Sequence, residues 1–217
     1  REWNPHMTYR GYFGLDGFYE SARMHIDVAE FQLAGGGRFG PELDLDHEGL
    51  RSPFTISPGV TLPAGSYDYP LIGLDWDTDP SAPLSFVLHG EFGPFYNGTK
   101  NGVVATFTAR RGASLTSSLL VDYNDVHLVQ GHLVRSLTGF RLGYFFTPRI
   151  FIQSFTQYSN QARSWTANAR FGWLNTAGTG LFVVFNDGQE ADGFFSWVRP
   201  QSRSLVLKFT RQFGTGG

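Results

Sequence analysis

From Leu71 to Phe213 the sequence alternates apolar and polar residues in one segment after another. Successive side chains of a strand point to opposite sides, so a period of two gives each strand one dry and one wet face. In Ser164–Trp173, Trp165, Ala167, Ala169, Phe171 and Trp173 fall on one face, with Ser164, Thr166, Asn168 and Arg170 on the other. Leu205, Leu207 and Phe209 repeat the pattern against Ser204, Lys208 and Thr210. About twelve strands are read, near 6–14, 22–34, 38–48, 69–79, 84–93, 100–111, 114–124, 133–146, 149–160, 163–173, 180–187 and 203–213. The expected fold class is all-β.

The connections alternate as well. One set is tight: 35–37, 80–83, 111–114, 147–148 and 175–180. The other is mostly longer: 15–21, 49–68, 93–99, 125–132, 160–163 and 188–202. In an up-and-down barrel this puts every tight turn at one rim and every loop at the other, as in bacterial outer-membrane barrels. Strands of this length suit a tilted membrane span, and Tyr144, Tyr158, Trp165, Trp173 and Phe213 stand near strand ends, where aromatic girdles sit. The expectation is therefore an antiparallel up-and-down transmembrane β-barrel, complete or part of a larger one. A β-sandwich or lipocalin-like barrel with apolar faces inward shares the same period and stays open as an alternative.

Composition narrows the function classes. No cysteine is present, which excludes disulfides and zinc–thiolate sites. A formal net charge of -2 gives no electrostatic reason to expect nucleic acid. No apolar run is long enough for a transmembrane helix. No linker divides the 217 residues, so one domain is expected. Arg1-Glu2-Trp3 does not begin a signal peptide, so a mature chain or an excised piece is expected.

Distinctive motifs are Arg1-Glu2-Trp3-Asn4-Pro5-His6, Asp16-Gly17-Phe18-Tyr19-Glu20-Ser21, Ser52-Pro53-Phe54-Thr55-Ile56-Ser57-Pro58-Gly59-Val60, Pro63–Asp68, Phe146–Gln153 and Asn168–Leu174. Together they resemble a bacterial outer-membrane family in which a periplasmic domain like carbohydrate-binding module family nine precedes a barrel of unknown function. The resemblance spans nearly the whole chain and implies the C-terminal part of a longer protein, completed by an N-terminal segment or a partner protein. Some members are labelled membrane-associated hydrolases, but no catalytic residue transfers. Family members also end on an aromatic, whereas Gly214-Thr215-Gly216-Gly217 follows Phe213 here.

The functional expectation is an outer-membrane pore, transport element or anchor, porin-like, with the lipid bilayer and lipopolysaccharide as partners. Its alternatives are a hydrolase acting on surface polymer and a structural subunit of an envelope complex. Charged candidates for a lumen are Asp75, Asp77, Glu91, Arg110, Arg141, Arg149 and Arg170. The long loop 49–68 is read as external or as a plug, through Phe54, Ile56, Pro58, Val60 and Tyr67. Asp44, Asp46 and Glu48 alternate on one strand and could present oxygens to Ca²⁺, although an EF-hand spacing is absent. His127 and His132 flank one loop without the helical spacing of a zinc site. No Gly-x-Ser-x-Gly elbow or phosphate loop occurs, and no catalytic residue or cofactor is expected. The segment 187–193 reads as a mobile hydrated tip.

Overall fold

The structure is a computed structural model that describes residues 5–175 and 179–211. Arg1 to Asn4 of the first motif, residues 176–178 of the expected 175–180 turn, and the end of the last expected strand with Phe213 and its glycine tail lie outside the described residues.

Fifteen strands follow in order: β1 (His6–Phe13), β2 (Tyr19–Asp27), β3 (Phe31–Gln32), β4 (Arg38–Leu50), β5 (Phe54–Ser57), β6 (Val60–Leu62), β7 (Gly65–Asp77), β8 (Leu84–Phe95), β9 (Gly98–Arg111), β10 (Leu115–Leu128), β11 (Gly131–Thr147), β12 (Ile150–Ser159), β13 (Ser164–Leu174), β14 (Gly180–Glu190) and β15 (Arg199–Thr210). The main sheet runs β1-β2-β4-β7-β8-β9-β10-β11-β12-β13-β14-β15, with β3 paired beside β4 and β5–β6 forming a separate hairpin. Each segment recognised by alternation holds one strand of this path. Among the described residues no helix is long and apolar enough to cross a membrane.

The expected barrel does not form. The path has two ends, and every residue of β1 and of β15 is exposed. The expectation of an outer-membrane pore, transport element or anchor, with lipid and lipopolysaccharide as partners, depended on closure. Hydrocarbon offers no hydrogen bonds, so only a closed sheet satisfies its backbone there, and an open path leaves two rows of N–H and C=O groups unpaired. The porin-like and outer-membrane readings fall with it. The two alternatives, surface-polymer hydrolase and envelope subunit, were placed at the same membrane and fall too. Charges do stand along both free strands: Arg10 on β1, and Arg199, Arg203 and Lys208 on β15. Such residues discourage unwanted edge pairing.

The alternation of tight and long connections also fails in two places. β8 runs on to Phe95 and β9 starts at Gly98, so the expected loop 93–99 is a two-residue turn. Likewise β10 and β11 are joined only by Val129-Gln130, within the expected loop 125–132.

The chain divides into two compact units. The first comprises Arg1–Ser81, Ser85–Ala105 and Asp122–Arg135. In it β4 pairs with β7 in continuous register from Arg38↔Asp77 to Leu50↔Gly65. The β5–β6 hairpin supplies this unit's apolar core. Val60 and Leu62 are buried with Val126, Leu128 and Leu133, flanked by Leu50, Ile56, Phe95 and Tyr96. Burying a leucine completely stabilises by about 1.5–3 kcal/mol, and Leu62 has no exposed surface. Arg135 also donates to the carbonyl of Ile56. Of the residues read as loop or plug, Val60 is buried, Ile56 and Tyr67 are half-buried, and Phe54 and Pro58 are exposed.

The second unit comprises Ala82–Leu84, Thr106–Val121 and Ser136–Gly217. It is a meander in which β12, β13, β14 and β15 pair in turn. Its loop after β14 is anchored, against the expectation of a mobile tip. Ala191 is fully buried, and the Trp165 indole N–H donates to the Phe194 carbonyl at 2.9 Å. Tyr158 and Trp165 pack on the Phe194 ring.

Close backbone approach fixes one glycine in the first unit. A Cβ on Gly98 would lie 1.8 Å from the His127 carbonyl oxygen, so the β8–β9 turn must shift to accept any side chain. Overpacking of this kind costs about 1–3 kcal/mol. Gly98→Ala should therefore lower the urea unfolding midpoint clearly, while Gly35→Ala, which meets nothing within 4 Å, should leave it nearly unchanged.

Candidate functional site

The registers of the first unit gather many of its charged residues on one face. His6 is opposite Asp27 on the β1–β2 ladder. Across β2–β4, Ser21 meets Glu48, Arg23 meets Asp46, His25 meets Asp44 and Asp27 meets Glu42. Across β7–β8, Asp75 meets His89 and Gly73 meets Glu91. Residues that alternate along each strand thus become rows running across the strands.

Three carboxylates of β4, Glu42, Asp44 and Asp46, are buried. A buried charge must be paired and hydrogen-bonded. Arg23 grips Asp46 with two donors, Nε to Oδ1 at 2.7 Å and Nη2 to Oδ2 at 3.0 Å. Its pKa is raised by that bond. His25 lies between two acids, with Nδ1 2.8 Å from Asp44 and Nε2 3.1 Å from Asp27. Burial pushes its pKa down, but the bond to Asp44 and the charges of Asp44, Asp27 and Glu42 carry it upward. A second cluster centres on His89. Glu91, 3.7 Å from Nε2, and Asp75, 2.8 Å from Nδ1, hold the imidazole protonated and raise its pKa to about 9 despite burial. His89, together with Lys100, which donates to the other oxygen of Glu91, lowers Glu91 to about 2. Burial and the Asp75 charge raise Glu42 instead. The Glu42 side chain lies across Gly73, where a Cβ would sit 2.1 Å from its Cγ, so a bulkier residue there would displace it.

Glu42 and Glu91 have opposite pKa shifts on either side of one imidazole, the contrast expected of an acid and a base. Yet Glu42 is only 6% exposed, and the neighbouring groups are occupied with one another. This cluster neutralises charge within the sheet.

The residues read as lumen candidates are placed as follows. Asp75 pairs with His89, Asp77 with Arg38 and Glu91 with Lys100. In the second unit Arg141 sits over the Phe155 ring, and Arg170 lies between Phe151 and Phe182. Arg110 is half-buried on β9, and Arg149 is exposed in the β11–β12 turn. The Asp44, Asp46 and Glu48 set does not converge. Among the described residues, the groups whose possible ligand atoms lie within 4.8 Å of one another are His6/His25/Asp27, Glu42/Asp75/His89 and Asp125/His127/His132.

Beside the ladder opens a cleft of about 760 Å³. Its charged lining includes Arg10, Arg23, Asp46, Glu48 and Lys100, and Tyr69, Phe95 and Tyr96 form an aromatic side. Their rings pack edge-on or tilted, 4.8–5.5 Å apart. Tyr96 holds a left-handed backbone at φ 52°, a conformation costly for a bulky residue and concentrated at functional positions. Burial pushes the Tyr69 and Tyr96 hydroxyls up, so both stay protonated donors. The sequence reading missed Arg10, Tyr69 and Tyr96. Arg10 and Tyr69 stand on the wet face opposite Arg23 and Asp46, which only the registers reveal, and Tyr96 lies in the turn after β8.

No family model, curated protein or solved structure matches the chain. The family resemblance therefore rests on the motifs alone.

The His89–Glu91 pair sets a pH dependence. A raised histidine pKa adds stability that is complete below its ordinary value of 6.5 and is lost as pH rises through about 9. A lowered glutamate pKa adds stability that is complete above 4.5 and is lost as pH falls through about 2. Urea midpoints should therefore decline from pH 6.5 to 9, and His89→Asn should flatten that decline. An unchanged slope in the variant would remove His89 from the balance.

Proposed function

We propose that the chain is a binding module whose first unit holds a small, hydroxyl-rich organic anion in the cleft beside the ion-pair ladder. The observation that carries this reading is Arg10. It stands directly opposite Arg23 on the wet face. Like charges opposite one another destabilise a sheet. Arg23 is neutralised by Asp46, whereas Arg10 has no hydrogen bond or ion pair among the described residues. An anionic group on the ligand would relieve this arrangement with charge-assisted hydrogen bonds.

The rest of the cleft suits the body of such a ligand. The Tyr69, Phe95 and Tyr96 rings offer apolar surface to a sugar-sized ring, and the tyrosine hydroxyls offer donors. Glu48, whose pKa is raised by burial and by Asp46, has no hydrogen bond or ion pair among the described residues and can accept from a ligand hydroxyl. A volume near 760 Å³ accommodates one or two such rings, within the roughly 300–1,000 Å³ typical of ligand sites.

The test is a titration of the full chain with glucuronate and, separately, with glucose, followed by NMR chemical shifts. Glucuronate should bind more tightly. Arg10→Gln should erase the preference, a loss of roughly tenfold or more for one charge-assisted contact. Equal affinity for the two sugars, no binding of either, or a preference that survives Arg10→Gln would refute the proposal.

A further inference from the structure

We infer that the β10–β11 hairpin is a zinc site formed by Asp125, His127 and His132. Asp125 and His127 are two residues apart on β10, so they share a face. The two-residue connection Val129-Gln130 brings His132 back beside them. The imidazole rings stack with centroids 4.1 Å apart and planes 8° from parallel. Both direct Nε2 at the same oxygen, Asp125 Oδ1, at 3.2 Å from His127 and 2.6 Å from His132.

A tetrahedral zinc ion binds imidazole nitrogen and carboxylate oxygen at about 2.0–2.2 Å, which sets its donors roughly 3.3–3.5 Å apart. The His127 contact is already near that spacing. Opening the His132 contact requires only side-chain rotation of a residue that is half exposed. With three protein donors, the fourth position faces water. Imidazole ligands favour zinc over calcium or magnesium, which take oxygen donors.

The hairpin is held from its other side. Val126, Leu128 and Leu133 are buried against Val60 and Leu62, which fixes the backbone that carries the three donors. Such support is what a preformed site requires. The other two convergent groups differ. In His6/His25/Asp27 and Glu42/Asp75/His89, the imidazoles and carboxylates already take part in wider pairing with Asp44 and Glu91. Asp125 has only the two histidines as ion partners among the described residues.

Calorimetric titration of the full chain with Zn²⁺ tests the inference, with circular dichroism to confirm that each variant folds. One ion per chain is expected, with no heat from Mg²⁺ or Ca²⁺. His127→Asn/His132→Asn should abolish binding. Asp125→Asn should weaken it by more than the roughly tenfold that loss of an outer-shell partner costs. Co²⁺ should give the visible absorption of a tetrahedral ion in the parent and not in the double variant. Absence of binding by the parent, or undiminished binding by the folded double variant, would overturn the assignment.

Discussion

The first unit depends on neutralising three buried carboxylates. Glu42, Asp44 and Asp46 lie along β4, and the strands beside it supply their counter-charges. Arg23 and His25 arrive from β2, and His89 arrives from β8 across β7. Removing one partner from a buried pair leaves a charge without compensation, which typically costs about 3–5 kcal/mol. A slip of one residue in register would turn every such partner to the other face. The ion pairs therefore fix the register, and the register in turn aligns the cleft lining.

The same constraint explains why the cleft can be a site at all. Groups that compensate one another within the sheet are unavailable to a ligand. Arg10 and Glu48, at the margin of the ladder, are left over on the wet face. The hairpin carrying Asp125, His127 and His132 gains its order differently, from apolar packing of its opposite face on the β5–β6 hairpin. The two candidate sites thus rest on different forces, one electrostatic and one hydrophobic.

Strand positions were legible because burial on one face leaves a local signal at every second residue. Trp165, Ala167, Ala169 and Phe171 against Ser164, Thr166, Asn168 and Arg170 show it along β13. Closure was not legible. An open sheet and a barrel share the same alternation within each strand, and the difference lies only in whether β1 and β15 pair. Loop length was misread for a related reason. Gly93 and Asn97-Gly98 look like loop residues, yet β8 and β9 continue to Phe95 and from Gly98. The site residues were half legible: Asp75, Asp77 and Glu91 were singled out as charges on a wet face. Their partners Arg38, His89 and Lys100 follow only from the ladders and the folded side-chain contacts, and one sequence discloses neither.

Residue-resolved hydrogen exchange of the native chain tests most directly the central claim, an open antiparallel path ordered by its ion-paired strands. Amides of β4 and β7, paired from Arg38↔Asp77 to Leu50↔Gly65, should exchange slowest. Along β1 and β15, alternate amides facing away from β2 and β14 should exchange rapidly. Uniform slow exchange along both β1 and β15 would show that these edges are paired and would contradict the account.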